Sequence, residues 1–317
     1  MRIKMAWAVA CISTLAIAPM THASDTAIDR VVVPYAVGGV TDLYGRVLAE
    51  RIASHQKNNV LVDNRAGAGG AIGTAFVAKS PADGRTVLLG SVGTATNPAM
   101  IKDMPYDPKD IVAVAQVAVS PLILYVRDGL PAELPALLDH AKKTPGGLSF
   151  ANSGVGSSPN LAAALFARQA DIDATHVSYR GTSAAINDLL GGQVDAYFDT
   201  PQALPHVQSG RIKAIAIAAA ERSELAPHLP TLAELGVPDV QAASWWGIFV
   251  PAATPSNQIE ALETQFRNVL ADAGVQQRAR DMGAIAVYRD QDGFQAFFDN
   301  EVKRWGDIIA TEKLSSQ

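Results

Sequence analysis

The residues of this chain best suited to chemistry are small, and they are clustered. Six short loops are rich in Gly, Ser, Thr and Asn, with an occasional Asp or Arg: 34–40, 64–70, 90–97, 152–158, 180–183 and 199–200. Each follows a short apolar run such as Val31-Val32-Val33, and most precede a stretch of helical periodicity. A loop that opens a helix offers unpaired backbone N–H groups and about half a positive charge. Glycine lets the backbone come close to a ligand, and Ser and Thr hydroxyls add donors. The natural guest is a carboxylate or a phosphate. One such loop alone reads as an ordinary strand-to-helix turn; several at one sheet edge read as a site.

Other chemistries find little footing. The glycines at 67, 69 and 70 do not complete a dinucleotide fingerprint, because Ile72 stands where the third glycine is needed; Gly154 and Gly156 fail likewise at Pro159. There is no phosphate loop ending in Gly-Lys-Ser/Thr and no Gly-x-Ser-x-Gly elbow. The histidines at 55, 140, 176, 206 and 228 form no pair at metal-ligand spacing, and the single cysteine, Cys11, permits neither an intrachain disulfide nor a cysteine metal cluster. His176 lies on an apolar strand, the usual setting of a core histidine. Asp42, Asp195 and Asp199 are carboxylates near loops or strand ends, and Asp42 suits a helix cap as well as a ligand contact. The sequence therefore leads us to expect no catalytic residue, no metal and no cofactor. The charge balance, 26 basic against 31 acidic residues, includes no basic block, which excludes a nucleic-acid footprint.

Such loops need a scaffold that brings them to one edge. The length of 317 residues, 48% of them hydrophobic and 18% charged, suits two ordinary domains with sizeable cores rather than a disordered chain. Strands are predicted at 30–33, 60–62, 86–89, 148–151, 174–179 and 194–198. Helices are predicted at 41–55, capped by Thr41 or Asp42, at 71–79, at 159–169, from about 183 to 190, and from Pro201. The alternation implies parallel α/β sheets with the ligand crevice beyond the carboxyl ends of the strands. Two long apolar segments, 112–126 and 240–250, would cross between domains. Helical patterns follow at 257–273, 275–282 and 292–311 and pack back on the first domain. The domains are then 24–122 plus 248–317, and 123–247. At the N-terminus, Arg2 and Lys4 precede an apolar run ending at Thr21-His22-Ala23, the pattern of a signal peptide spanning 1–23. No later run has the length to span a membrane.

Several motifs, in order, carry a family resemblance. They are Val33-Pro34-Tyr35-Ala36-Val37-Gly38-Gly39-Val40-Thr41-Asp42, Val62-Asp63-Asn64-Arg65-Ala66-Gly67-Ala68-Gly69-Gly70 and Ala82-Asp83-Gly84-Arg85-Thr86. Further matches are Met104-Pro105-Tyr106-Asp107-Pro108, the stretch from Phe150 to Ser157, Tyr179-Arg180-Gly181, the stretch from Asp188 to Asp195, and the stretch from Pro230 to Pro238. Together they resemble the Bug receptors, periplasmic substrate-binding proteins of tripartite tricarboxylate transporters. The resemblance implies a two-domain, type II periplasmic binding fold whose hinged cleft closes on a small mono-, di- or tricarboxylate. It also implies delivery to membrane permease subunits by a monomer.

Carried over residue by residue, the first clamp holds Tyr35, Ala36, Gly38, Gly39, Thr41 and Asp42. The facing clamp holds Asn152, Ser153, Gly156, Ser157, Ser158 and Asn160. Ser91, Gly93, Thr94 and Asn97, then Arg180, Gly181 and Thr182, and Asp199 complete the site. Many relatives have His at Asn160 and Lys at Arg180, so these two positions depart from the pattern. A sensor that presents its ligand to a signalling partner, or a secreted α/β hydrolase, is the alternative function.

Overall fold

The structure is a computed structural model and describes residues 27–312, so the expected signal peptide lies outside the described residues. Strand β1 (Arg30–Val33) leads into helix α1 (Val40–Gln56). β2 (Leu61–Asn64) leads through a 3-10 turn (Ala68–Gly70) into α2 (Ala71–Ala78), and β3 (Thr86–Ser91) leads directly into α3 (Val92–Met100). β4 (Ile111–Pro121) and β5 (Ile123–Arg127) follow almost end to end, then α4 (Leu134–Lys143). β6 (Leu148–Asn152) precedes α5 (Ser158–Gln169), and β7 (Ala174–Ser178) precedes α6 (Thr182–Leu190). β8 (Ala196–Asp199) precedes a 3-10 turn (Pro201–Ala203) and α7 (Leu204–Gln208). β9 (Ile212–Ile217), β10 (Ala243–Pro251), α8 (Ser256–Leu270), α9 (Ala273–Asp281), β11 (Ile285–Arg289) and α10 (Gln291–Glu312) complete the order.

The strands form two sheets, β11-β4-β10-β3-β1-β2 and β7-β6-β8-β5-β9. Strand–loop–helix units build the parallel part of each: β1 pairs with β2 and β3, and β6 with β7 and β8. The sheets are mixed rather than parallel throughout. β4 carries the chain out of the first sheet and β10 brings it back, so the two run in opposite directions, paired from Ala243↔Pro121 to Pro251↔Ile111. β5 enters the second sheet antiparallel to both its neighbours. β9 and β11 are edge strands outside the sequence expectation; β9 is followed by no helix, and β11 is a short strand directly before α10. The stretch 90–97, expected as a loop, is mostly α3. Its buried Thr94, Thr96 and Asn97 give no apolar periodicity to read.

Helices cover both faces of the first sheet, which explains the unbroken apolar runs. Val31 and Val33 of β1 pack in one buried cluster with α1, α8 and α9, while Val32 packs in another with α2, α3 and α10. The long β10 anchors this second core. Trp245 meets the rings of Phe294, Phe297 and Phe298 edge-on at 5.6–6.2 Å. Gly247 is required there, since a Cβ would stand 1.9 Å from the Phe294 ring. Beneath them the buried Glu301 accepts hydrogen bonds from both Trp245 Nε1 and Trp305 Nε1 at 2.9 Å, and Arg304 reaches its other oxygen at 3.3 Å.

That shared acceptor is the polar weak point of the core. Glu301→Leu leaves two buried indole N–H groups unpaired and should lower unfolding free energy by about 2–5 kcal/mol. Glu301→Gln keeps one carbonyl acceptor and should cost less than half as much. Urea titration of both variants measures the difference; a Leu variant as stable as wild type would show that the acceptor does not matter.

Candidate functional site

The carboxyl ends of both sheets face a common cleft, and four helix starts converge there. α1 opens at Gly39 (φ −81°, ψ 166°), α3 at Ser91, α5 at Ser157 and α6 at Gly181 (φ 129°). Between them lies an inner chamber of about 60 Å³. From the first sheet's side it is walled by Tyr35, Ala36, Gly39, Val40 and Thr41, with Ser91 and Gly93. From the second sheet's side come Ser153, Ser157, Ser158, Pro159, Gly181 and Thr182, with Asp199 and Thr200. Ser244 and Trp246 of β10 complete it. An outer chamber of about 390 Å³ shares Tyr35, Ala36 and Ser153, and extends past 66–70 to Gly154, Tyr179 and Arg180.

No Lys, Arg or His belongs to the inner wall. Apart from the Asp199 carboxyl and the Trp246 indole, its polar groups are hydroxyls and the N–H groups of first helical turns, which lack intrahelical acceptors. Trp246 Nε1 donates to Thr41 Oγ1 at 2.8 Å, which leaves the Thr41 proton for another acceptor. Burial pushes the Tyr35 hydroxyl up to about 12, so it stays protonated. The Thr200 hydroxyl is buried and has no hydrogen-bond partner in the protein. Gly93 allows the tight junction behind Tyr35: a Cβ there would stand 2.5 Å from Gly69 O and 2.7 Å from Tyr35 Oη.

The residues named from the sequence divide into walls and braces. Tyr35, Ala36, Gly39, Thr41, Ser91, Gly93, Ser153, Ser157, Ser158, Gly181, Thr182 and Asp199 stand on the inner wall, and Arg180, exposed, on the outer one. Gly38, Asp42, Thr94, Asn97, Asn152, Gly156 and Asn160 stand on neither. Neither Thr41 nor Asp42 is the N-cap of α1, since both lie within its first turn; that position is Gly39. Asp42 acts as a brace. Its buried carboxylate accepts from Gly38 N at 2.9 Å, from Asn64 Nδ2 at 3.0 Å, and pairs with Arg46 at 3.0 Å. Thr94 Oγ1 accepts from Ser91 N, Asn97 Nδ2 donates to Gly69 O, and Asn152 Oδ1 accepts from Gly154 N. Asn160 Oδ1 accepts from Gly156 N at 3.1 Å. Ser157 Oγ donates to Gly154 O at 2.6 Å, so its proton is committed within its own loop.

Sequence reasoning left out Val40, Pro159, Thr200, Ser244 and Trp246. The first two lie inside the clamps named above, and Thr200 follows Asp199, so each was within reach. Ser244 and Trp246 gave no signal, because a crossover strand reaches the cleft only through its position between β3 and β4. Two bonds also span the cleft: Thr96 Oγ1 to Gly156 O at 2.8 Å and Ser183 Oγ to Gly38 O at 3.2 Å.

The chain matches the family described as "Tripartite tricarboxylate transporter family receptor" over residues 44–314. It is 35% identical to protein BugT of Bordetella pertussis over 285 residues, covering 88% of this chain and 87% of the relative. It resembles a solved R. palustris protein with adipate at 32% identity and a TM-score of 0.85, covering 90% of this chain and 97% of that one. It also resembles MatC from Rhodopseudomonas palustris with bound malate at 30% identity and a TM-score of 0.82, covering 89% and 98%.

Two buried carboxyls titrate in opposite senses. For Asp42, burial alone would raise the value, but Arg46, the Gly38 N–H and Asn64 outweigh it and hold the carboxyl below the ordinary range. Its stabilisation is present above about pH 4 and lost as pH falls through the lowered value. For Asp199, burial dominates and pushes the carboxyl up to about 7, against Thr200 N and Gln202. Its stabilisation is full below about pH 4 and lost as pH rises toward 7. Asp42→Asn should therefore melt below wild type at neutral pH, with the gap closing in acid. Asp199→Asn should gain on wild type between about pH 4 and pH 8. Parallel pH profiles for the two variants in scanning fluorimetry would contradict this assignment.

Proposed function

Since the chain belongs to the tripartite tricarboxylate transporter receptor family, whose members are periplasmic solute-binding proteins, we propose that its cleft binds a small organic acid and delivers it to permease subunits in the membrane. The carrying observation is the convergence of the starts of α1, α3, α5 and α6 on one chamber walled without a cation. Helix starts of this kind stabilise an anion by N–H groups and dipole together. The inner chamber suits one carboxylate head, and the adjoining outer chamber suits the rest of the molecule. Adipate and malate in the related structures support a carboxylate ligand. Arg180, on the outer wall, would face a second carboxylate with a fork of donors.

The mature chain acts in the periplasm as a monomer after loss of residues 1–23, with lobes 24–122 plus 248–317 and 123–247 hinged at the crossovers. The bonds Thr96–Gly156 and Ser183–Gly38 hold the lobes closed over the ligand. Binding rather than catalysis is its task.

Calorimetry with matched acids and amides tests the anion site. An acid should bind at least about tenfold more tightly than its amide, and Gly39→Val should abolish binding of the acid. The Gly39 backbone is extended and a Cβ there meets only Ala36 O at 3.9 Å, so the variant should melt near wild type. Equal affinity for acid and amide would rule out a carboxylate on helix starts. A second measurement concerns Arg180→Ala. It should weaken a dicarboxylate about tenfold and leave a monocarboxylate of similar length unchanged. An equal loss for both would remove Arg180 from the distal subsite.

A further inference from the structure

A carboxyl stands in the wall of the chamber that the proposed function fills with an anion. Asp199 ends β8, is 3% exposed, and borders the inner chamber beside Thr200. Its Oδ1 accepts from Thr200 N at 2.8 Å, and Gln202 Nε2 lies 3.3 and 3.2 Å from its two oxygens. Among the described residues, no Lys, Arg or His pairs with it. β5, β6, α5 and α6 pack on β8. From β5, Tyr125 faces this end, with its hydroxyl on Thr200 O at 3.1 Å, while Arg127 is tied to Asp195 at the opposite end of β8. Tyr197 lies on β8 itself, and the hydroxyls of Tyr125 and Tyr197 are both pushed up, by burial first and by Asp199 second. β6 carries no titratable side chain. Arg168 stands in the last turn of α5, and Asp188 of α6 is bonded to Tyr179. His206 follows on α7. Across the cleft, Tyr35 is neutral and Asp42 is closed off by Arg46 and Asn64.

A buried carboxylate with no cation and an incoming carboxylate with no cation cannot share so small a space as two charges, because like charges raise each other's proton affinity. One proton between them removes the conflict and adds a donor. Resting on the organic-acid reading of the cleft, we propose that Asp199 is a specificity-determining residue that carries a proton in the bound state and donates it to the ligand's carboxylate. The receptor then takes up an organic-acid anion together with one proton. Oδ2 is assigned as the donating oxygen, since Oδ1 accepts the short bond from Thr200 N at 2.8 Å while Oδ2 has only the longer contact with Gln202 Nε2 at 3.2 Å. Burial raises the Asp199 carboxyl to about 7 in the protein alone. An anion in the chamber raises it further.

The experiment is calorimetry of the full mature chain with adipate and with malate, at several pH values between about 6.5 and 8.5, where both acids are fully ionised. Each titration is repeated in two buffers of different ionisation enthalpy to count protons. The expected result for wild type is uptake of close to one proton per ligand at the alkaline end, with affinity falling about tenfold per pH unit above about 7. Asp199→Asn, neutral at every pH, should bind with a flat profile and no uptake. Gln202→Leu removes a donor to the ionised carboxyl, so the break in its profile should move upward; this variant keeps the question open to measurement if Asp199→Asn fails to fold. A flat wild-type profile without proton uptake overturns the proposal and leaves the organic-acid reading standing. Affinity that rises with pH overturns it too, and means that an ionised Asp199 receives a donor from the ligand. If neither acid binds at any pH to wild type or variants, the organic-acid reading itself fails for these ligands and the proposal falls with it.

Discussion

An anion enclosed by protein must be met by groups that are already pointed at it, because a solvent shell can no longer turn to follow the charge. For the anion proposed in this cleft, the pointing is done by backbone. Each parallel strand ends at the cleft, each is followed by a few small residues, and each helix starts with its N–H groups facing back over the strand end. The rigidity of these starts comes from side chains that never reach the chamber. Asp42 fixes Gly38, Asn160 fixes Gly156, Thr94 fixes Ser91, and Asn97 ties α3 to Gly69. The polar residues around the cleft thus do two different jobs, and those holding the loops are the more deeply tied.

The same constraint explains the mixed sheets. A cleft between two sheets requires the chain to leave one and return, and the outward and returning strands lie side by side as β4 and β10. Their pairing puts Ser244 and Trp246 at the floor of the cleft, where Ser158 Oγ meets Ser244 Oγ at 2.7 Å and Trp246 holds Thr41. The crossover therefore touches a helix start from each side. A change of angle between the sheets cannot leave both contacts unaltered, so the geometry of these helix starts is tied to the angle between the sheets.

Much of this was legible in the residues. Val31-Val32-Val33 followed by Gly38-Gly39 and a helical pattern specifies a strand, a tight loop and a helix by local chemistry, and the structure has β1 and α1 there. The two crossovers were legible as apolar runs too long for ordinary strands. What failed to show was whatever depends on distant neighbours. α3 was hidden because its buried face is Thr94, Thr96 and Asn97, whose partners lie on other loops. β9 and β11 were hidden because an edge strand borrows its identity from the strand beside it. Within the site, residue type found the loops but could not say which side chains face inward. Ser157 has the right hydroxyl and turns its proton to Gly154, while Thr200, adjoining a named residue, keeps a buried hydroxyl without a protein partner.

The contrast between Asp42 and Asp199 shows how far environment outruns identity. Both are aspartates beside helix starts, and both are nearly inaccessible. Asp42 gathers a guanidinium from α1, an amide from the end of β2 and a backbone N–H, so its charge is settled by these neighbours. Asp199 gathers only Thr200 N and the Gln202 amide at 3.2–3.3 Å, and among the described residues no cation settles its charge. A cleft lined by a cation would accept most anions of the right size. One lined by neutral donors and a single undecided carboxyl ranks its ligands by the number of acceptors they bring and by where they bring them. Selectivity then resides in the positions of hydroxyls and N–H groups, which the strand ends hold fixed, rather than in net charge.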